Sequence, residues 1–225
     1  MHYSGDEGPR NYYSELRINY RIIGYVKMPK MFCIGGGDLR KDNKNMKYIH
    51  NDLINFSGIT APRILFIPTA SNDSVSYFKI LSTHFRAEFN LKIDVLYLTD
   101  NNYKTKIHST DIVYVGGGNT KLLLDEWVQK GIDKILLNAA KKDIIMSGIS
   151  AGAICWFEKC LANSGHKKEV LEGLGLIKGL GVPHYKNGTL RNFQVDKPMI
   201  GMSDYSIYKV DNGNVHTSGN VSIFE

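Results

Sequence analysis

The stretch Asp143-Ile-Ile-Met-Ser-Gly-Ile-Ser-Ala-Gly152 carries more structural information than any other part of this chain. It begins as an apolar run typical of a buried strand and ends in Gly148-Ile-Ser-Ala-Gly152; residues 153–159, which are compatible with a helix, follow. This order of elements is typical of a nucleophile elbow, a sharp strand-to-helix turn that holds a serine. Two glycines without a Cβ allow the backbone to turn tightly there. The pattern predicts that Ser150 stands clear of a sheet as a nucleophile.

The segments around this stretch alternate between strand-like and helix-like patterns. Short apolar runs typical of strands lie at residues 31–34, 63–67, 93–97, 111–115 and 144–147. Apolar side chains at a spacing near 3.6 indicate helices between them, at Val75, Phe78, Leu81, Phe85 and Phe89 and at Ile132, Ile135, Leu136, Ala139 and Ala140. This alternation favours an α/β fold, in which helices cover both faces of a mainly parallel sheet as a three-layer sandwich. Residues 205–210 and 215–224 predict a C-terminal β-hairpin.

Length and composition are those of an ordinary globular chain. With 225 residues, of which 43% are hydrophobic and 22% charged, the chain can bury a substantial core. We predict a single α/β domain over residues 31–225, preceded by an N-terminal extension, residues 1–30, to which no structure is assigned. Three cysteines without metal-type spacing, and the lack of a secretory leader pattern, predict reduced thiols and a cytoplasmic location. We expect no metal ion and no organic cofactor.

Charge and hydropathy argue against two classes of partner. The net charge of +6 comes from scattered lysines and arginines, without the basic stripe and aromatic platform typical of nucleic-acid binding. No apolar stretch approaches the roughly 18 residues that span a bilayer. We therefore expect neither nucleic acid nor a membrane as a partner, and an assembly no larger than a homodimer.

Glycine-bearing segments follow three of the predicted strands, at Gly35-Gly-Gly37, Gly116-Gly-Gly118 and Gly148–Gly152. Ligands of parallel α/β sheets bind beyond the carboxyl ends of the strands, so these segments are expected to face one cleft. Acyl transfer by a serine needs a base and hydrogen-bond donors for the developing oxyanion. We predict that the backbone amides of Gly118 and Ala151 are those donors.

Seven histidines could supply the base, and His184 has the most suitable context. It lies in Gly181-Val-Pro-His-Tyr185, directly after a short strand-like run. The proline stiffens the approach and fixes where the imidazole points. His84, in contrast, belongs to an amphipathic helix pattern, and His216 belongs to the predicted hairpin.

Three motifs together carry a family resemblance. Gly116-Gly-Gly-Asn-Thr120, Gly148-Ile-Ser-Ala-Gly152 and Pro183-His-Tyr185 resemble those of the dipeptidase E (alpha-aspartyl dipeptidase) and cyanophycinase family of serine peptidases, in the same order and at similar separations. The resemblance runs from about residue 31 to the C-terminus. It implies a parallel-sheet sandwich related to class I glutamine amidotransferases, which have cysteine where this chain has Ser150. It also implies hydrolysis of short peptides through an acyl-enzyme, with Ser150 as nucleophile and His184 as base.

The acidic member of the triad is where the chain departs from this family. The family places an acid between the elbow helix and the histidine, but the counterpart here is Ala162-Asn163-Ser164. We therefore expect Asn163 to hold the Nδ1–H of His184. An Asp→Asn change in a serine triad costs about 10⁴ in rate, so the enzyme is either weak or uses a carboxylate from elsewhere in the chain. The alternative is a weak or inactive homologue that acts as a binding protein.

Substrate preference depends on a further residue. Family members that cleave after an N-terminal aspartate need a cation for its side chain, and Arg191 is the candidate. The resemblance thus implies a small peptide partner with an acidic N-terminal residue.

Two other interpretations stay open at this point. Gly35-Gly-Gly-Asp38 could hold a nucleotide phosphate, although no dinucleotide fingerprint can be assembled around it. An esterase or acyltransferase of the α/β-hydrolase type would share the elbow.

Overall fold

This computed structural model describes residues 28–164, 167–186 and 198–225. Strands are interspersed with helices as far as residue 154, and only strands follow within the described residues. The strands are β1 (Met31–Ile34), β2 (Ile64–Ile67), β3 (Ile93–Val95), β4 (Ile112–Val115), β5 (Ile145–Ile149), β6 (Phe157–Ser164), β7 (Lys167–Glu172), β8 (Ile177–Val182), β9 (Met199–Met202), β10 (Ile207–Asp211), β11 (Asn214–Ser218) and β12 (Val221–Phe224). The helices are α1 (Asn43–Ser57), α2 (Val75–Phe89), α3 (Tyr103–His108), α4 (Thr120–Lys130), α5 (Ile132–Ala139) and α6 (Ala151–Ile154). Most of the predicted N-terminal extension lies outside the described residues.

The main sheet is mostly parallel, as the sequence predicts. Its strand order is β11-β10-β1-β5-β4-β2-β3, and the pairs from β1 to β3 in this order are parallel, whereas β10 and β11 are antiparallel. Strands β1, β4 and β5 are therefore neighbours that end at the same edge. The three predicted glycine segments follow these strands, so the topology brings them together at one edge of the sheet.

Side chains of the central strands are buried on both faces of this sheet. On β1, Met31 and Cys33 pack with residues of α4 and α5, whereas Phe32 and Ile34 pack with residues of α1 and α2. Helices on both faces make the three-layer arrangement that was predicted. Burial on both faces also explains why these strands are continuous apolar runs without alternation.

A second sheet, which the sequence analysis missed, has the order β12-β9-β8-β6-β7. The predicted helix at residues 153–159 is wrong, because α6 ends at Ile154 and β6 begins at Phe157. Backbone groups there bond to a distant segment: Leu174 N–H donates to Cys155 O at 2.8 Å, and Ile177 N–H donates to Trp156 O at 3.0 Å. Pairing with this segment, together with complete burial of Trp156, overrides the local helix preference.

The C-terminal hairpin forms, but its second strand is shorter than predicted. Strand β10 pairs with β11, whereas β12 leaves the main sheet and pairs with β9. Gly219, with a φ of 72°, lies between β11 and β12 and takes a backbone conformation that favours glycine. Residues 215–224 therefore serve two sheets instead of one.

The three cysteines are also part of the buried interior. Cys33, Cys155 and Cys160 are free and buried, and burial raises the pKa of each thiol above its usual value. None of the described helices is long and apolar enough to cross a membrane.

Two positions on α4 provide a matched test of this packing. Leu123 is fully buried, whereas Val128 is 59% exposed. We expect Leu123→Ala to lower the free energy of unfolding by about 2–5 kcal/mol, because it removes buried contacts and leaves a cavity. Val128→Ala should change it by less than about 0.5 kcal/mol. Urea denaturation measures both; equal effects would contradict the described orientation of α4.

Candidate active site

Ser150 occupies a strained turn between β5 and α6. Its backbone has φ 54° and ψ −116°, a conformation that non-glycine residues rarely adopt. A Cβ on Gly148 would overlap the carbonyl oxygen of Gly152, and a Cβ on Gly152 would overlap that of Val115. Both glycines are thus required by close backbone approach, which is the geometry that the sequence motif predicted.

His184 lies beside this serine. Its Nε2 atom is 2.7 Å from Ser150 Oγ, although the two residues are 34 positions apart. One residue, Pro183, separates His184 from the end of β8, and His184 has a φ of 50°. Its side chain is about half exposed, so the imidazole is reachable from solvent and from a bound ligand.

Asp204 completes the arrangement, and the sequence analysis did not find it. Its Oδ1 atom is 2.5 Å from His184 Nδ1, on the opposite side of the ring from Ser150. Asp204 directly follows β9 and Ser203, so it comes after the histidine in the chain. The sequence feature that could have indicated Asp204 is its place directly after an apolar, strand-like run, Met199-Ile-Gly-Met202, and Ser203. The family places its acid between the serine and the histidine, so the predicted candidates lay in that segment and did not include Asp204.

The expectation that Asn163 orients His184 is wrong. Asn163 lies in β6, where it is paired with Lys168 of β7, and the Nδ1 atom of His184 faces Asp204 instead. The physical reason is the second sheet, which carries residues 157–164 away as a strand. Arg191, the predicted substrate clamp, lies outside the described residues.

The loop after β1 braces the two backbone segments that carry His184 and Asp204. Gly35 O accepts the His184 amide at 2.9 Å, and Gly36 O accepts the Tyr205 amide at 2.9 Å. A Cβ on Gly36 would overlap both Asp204 Oδ1 and His184 Nδ1. The His184 imidazole and the Asp204 carboxylate therefore pack directly against Gly36, and only glycine leaves room for both.

Of the two predicted oxyanion donors, Ala151 directly follows Ser150, and Gly118 lines the same cleft as Ser150. Ala151 is the first residue of α6, and neither its amide nor that of Gly118 donates to another group within the described residues. Gly118 has φ 147°, and a Cβ there would overlap the Ala70 carbonyl oxygen, so this position needs glycine. Burial raises the pKa of the Tyr77 hydroxyl, and a hydrogen bond from the neighbouring Gly117 amide opposes this shift in part.

A cleft of about 420 Å³ opens next to these groups. Ser150, His184, Gly117 and Gly118 are among its lining residues. Its other lining residues are Gly37, Asp38, Leu39, Arg40, Met46, His50, Ser74, Ser76, Tyr77, Ile80, Leu81, Tyr114 and Ile149. Among the described residues, no group of three or more His, Cys, Asp and Glu side chains is arranged to hold a metal ion.

A buried histidine lies below this cleft. His50 is completely inaccessible, and its Nδ1 and Nε2 atoms lie 2.9 Å from His84 Nε2 and 3.1 Å from Tyr114 Oη. Burial, followed by repulsion from His84, lowers the pKa of His50 from 6.5 to about 3. His50 is therefore neutral over the whole physiological range.

Replacement of Gly36 tests the brace. We expect Gly36→Ala to slow the reaction of Ser150 with a fluorophosphonate by about 100-fold, since the added methyl displaces His184 and Asp204 from the serine. Gly58→Ala is the control, because a Cβ there meets nothing within 4 Å. It should lower stability only, through its φ of 71°. Unchanged labelling of folded Gly36→Ala would contradict the brace.

The buried histidine makes stability sensitive to acid. The unfolded chain binds a proton on His50 below about pH 6.5, whereas the folded chain does not until about pH 3. Stability therefore falls as the pH decreases through this window, by about 2 kcal/mol between pH 7 and 5. His50→Gln should show a smaller loss over this range than the wild type in urea unfolding. His216→Gln, at an exposed position, should behave as the wild type; equal losses in all three would contradict the assignment.

Comparison with known proteins relates this chain to peptidases. The model of peptidase family S51 matches residues 31–221. The uncharacterized peptidase YgaJ of Bacillus subtilis (strain 168) is 34% identical over 160 residues, which cover 70% of this chain and 69% of the relative.

Two solved structures share the fold. A crystal structure of a candidate peptidase E protein from Listeria monocytogenes EGD-e has a TM-score of 0.64 at 21% identity, with 85% of this chain and 98% of that one covered. A peptidase from an acI-B1 Actinobacterium has a TM-score of 0.67 at 18% identity, with coverage of 88% and 91%. The match over residues 31–221 and the 34% identical relative show that this chain belongs to peptidase family S51.

Proposed function

We propose that this peptidase is of the serine type and hydrolyses short peptides through an acyl-enzyme on Ser150. One observation carries the proposal: Ser150 Oγ, the His184 ring and Asp204 Oδ1 form a continuous line of hydrogen bonds, 2.7 Å and 2.5 Å long. The line ends at a cleft that can admit a peptide. A nucleophile next to a base, with a third group that orients the base, is the arrangement that such catalysis needs.

The tautomer of His184 follows from its partners. An ionised carboxylate only accepts hydrogen bonds, so Asp204 takes the Nδ1–H of His184. The lone pair of Nε2 then points toward Ser150, whose hydroxyl donates to it. As Oγ attacks a peptide carbonyl carbon, its proton passes to Nε2. Asp204 stabilises the positive charge that this transfer creates on the ring.

The remaining steps use two backbone amides and His184. The amides of Gly118 and Ala151 are placed in this proposal on the oxyanion of the tetrahedral intermediate. His184 then protonates the leaving amine, and the peptide C–N bond breaks to leave an ester on Ser150. Water, deprotonated by His184, hydrolyses that ester and restores the free serine.

The alternatives have less support. An inactive homologue was considered because the expected segment lacks a carboxylate, but the carboxylate of Asp204 lies beside His184 Nδ1. A nucleotide phosphate needs free amides, but the Gly35 N–H donates to Ser206 O at 3.0 Å. The carbonyls of this loop face the chain segments that carry His184 and Tyr205.

A preference for an acidic N-terminal residue stays a prediction from the resemblance. Its candidate clamp, Arg191, lies outside the described residues. Arg40 is the one lysine or arginine among the described residues that line the cleft, and both its Nε and Nη2 atoms already donate to Asp38.

Substitution of the triad tests the mechanism. We expect Asp204→Asn to lower kcat for short peptides by about 10⁴, because the amide stabilises neither the required tautomer nor the imidazolium. Ser150→Ala should abolish both turnover and fluorophosphonate labelling. Asn163→Asp, the matched control, should leave kcat unchanged, since this position lies in β6 opposite Lys168. A wild-type protein that neither turns over peptides nor reacts with the probe would instead support the binding-protein alternative.

A further inference from the structure

The carboxylate of Asp204 is held by few contacts of its own. Its side chain is 46% exposed, and its Oδ1 atom lies against His184 Nδ1. Within the described part of the chain, no other amide or side chain donates a hydrogen bond to this carboxylate. The place of the acid beside the imidazole is therefore determined by the backbone that carries it.

That backbone lies beyond the end of the second sheet. The parallel pairing of β8 with β9 ends at Val182 and Gly201, so it includes neither His184 nor Asp204. The ladder hydrogen bonds that fix neighbouring strands do not reach these two residues. Other contacts must therefore hold the two segments side by side.

Ser203 supplies one of these contacts. Its Oγ atom donates to Tyr185 O at 2.9 Å, and the Tyr185 amide donates to Met202 O at 2.9 Å. Tyr185 directly follows His184, and Ser203 directly precedes Asp204. Both backbone polar groups of Tyr185 are thus bound to the segment that carries the acid, one of them through a hydroxyl group.

Ser206 closes the turn that contains Asp204. Its Oγ atom and its amide donate to the same acceptor, Ser203 O, at 2.7 Å and 3.2 Å. Ser206 is completely buried, and its own carbonyl accepts the Gly35 amide at 3.0 Å. The turn of residues 203–206 is thereby closed on itself and attached to the loop after β1.

The same turn contains a strained residue. Tyr205 has a φ of 60°, which non-glycine residues rarely adopt. Such a conformation persists only while the surrounding bonds determine it. We therefore expect the loss of either serine hydroxyl to change the path of the turn, and with it the place of the Asp204 carboxylate.

We propose that Ser203 and Ser206 are positioning residues, whose hydroxyl groups hold the Asp204 carboxylate against Nδ1 of His184. Both hydroxyl groups donate to backbone carbonyls, and neither serine is among the described residues that line the cleft. They act on the reaction through the acid. This inference rests on the proposed function for the role of Asp204.

Turnover of short peptides by single variants tests the proposal. We expect Ser203→Ala and Ser206→Ala each to lower kcat about 10-fold, because a small displacement of a catalytic group is costly. KM should stay within about 2-fold, since no contact with the substrate is removed. Ser203→Thr keeps a hydroxyl group at this position and should recover most of kcat.

Thr110→Val is the matched control. It removes a buried hydroxyl group that donates to Arg63 O at 2.6 Å, just before β4 and so at the opposite end of this strand from the glycine segment. This variant should be less stable than the wild type and have the same kcat. A wild-type kcat in both alanine variants, or an equal loss in Thr110→Val, would overturn the proposal.

The Asp204→Asn background separates positioning from a general loss of structure. There, Ser203→Ala should lower kcat by less than about 2-fold further, because the carboxylate that Ser203 places is already gone. The rate of fluorophosphonate labelling gives the same comparison where turnover is slow. A loss of about 10-fold in both backgrounds would show that Ser203 does not act through Asp204, and would contradict the proposal.

Nitrogen-15 NMR of the His184 ring keeps this proposal distinct from the proposed function. The ring shifts report which nitrogen carries the proton, and His184→Gln identifies the signals of this ring among seven histidines. At pH 8 we expect the proton on Nδ1 in the wild type and in Thr110→Val, and a mixture of tautomers in the two alanine variants.

The two measurements have separate consequences. This change of tautomer, without any peptide hydrolysis by the wild type, would support the positioning role and reject the proposed function. Hydrolysis by the wild type, with the same tautomer and kcat in both alanine variants, would do the reverse. Thermal unfolding confirms that each variant is folded before it is compared.

Discussion

Three consecutive carbonyl groups at the end of β1 hold the site together. Ile34 O accepts the amide of Ser150, Gly35 O accepts that of His184, and Gly36 O accepts that of Tyr205, each at 2.9 Å. These three amides belong to segments that are far apart in the chain. Each carbonyl thus fixes the backbone at, or next to, one member of the hydrogen-bonded line formed by Ser150, His184 and Asp204. The geometry of the side chains depends on this single extended piece of backbone.

The same three positions carry unusual backbone conformations. Ser150, His184 and Tyr205 have φ values of 54°, 50° and 60°, although none of them is glycine. Such conformations cost about 1–3 kcal/mol each and persist only where the surrounding structure determines them. The carbonyls of β1 supply that determination, and the adjacent glycines supply the space. The other non-glycine residues with positive φ among the described residues are all Asn or Asp, which adopt such conformations more readily.

Much of the main sheet could be predicted from the sequence, because strands buried on both faces appear as short apolar runs with helical patterns between them. The serine motif was equally informative, since Gly148 and Gly152 are required by local backbone contacts. Asp204 could not be found in this way. Its proximity to His184 depends on β8 and β9 lying side by side in the second sheet, and this parallel pairing leaves no local periodicity in the sequence. The prediction of Asn163 was wrong because its segment forms β6, which pairs with β7 and β8, and Asp204 is the residue beside His184 Nδ1.

Two histidines of this protein show how burial and partner determine what an imidazole does. His184 is about half exposed and touches a carboxylate, so a positive charge that arises on its ring is stabilised by Asp204. His50 is fully buried, and its neighbour is another imidazole, whose charge would repel its own. Glu88 is separated from His50 by Asn43 and His84. The first histidine can therefore move a proton during a reaction, whereas the second can only hold one in place.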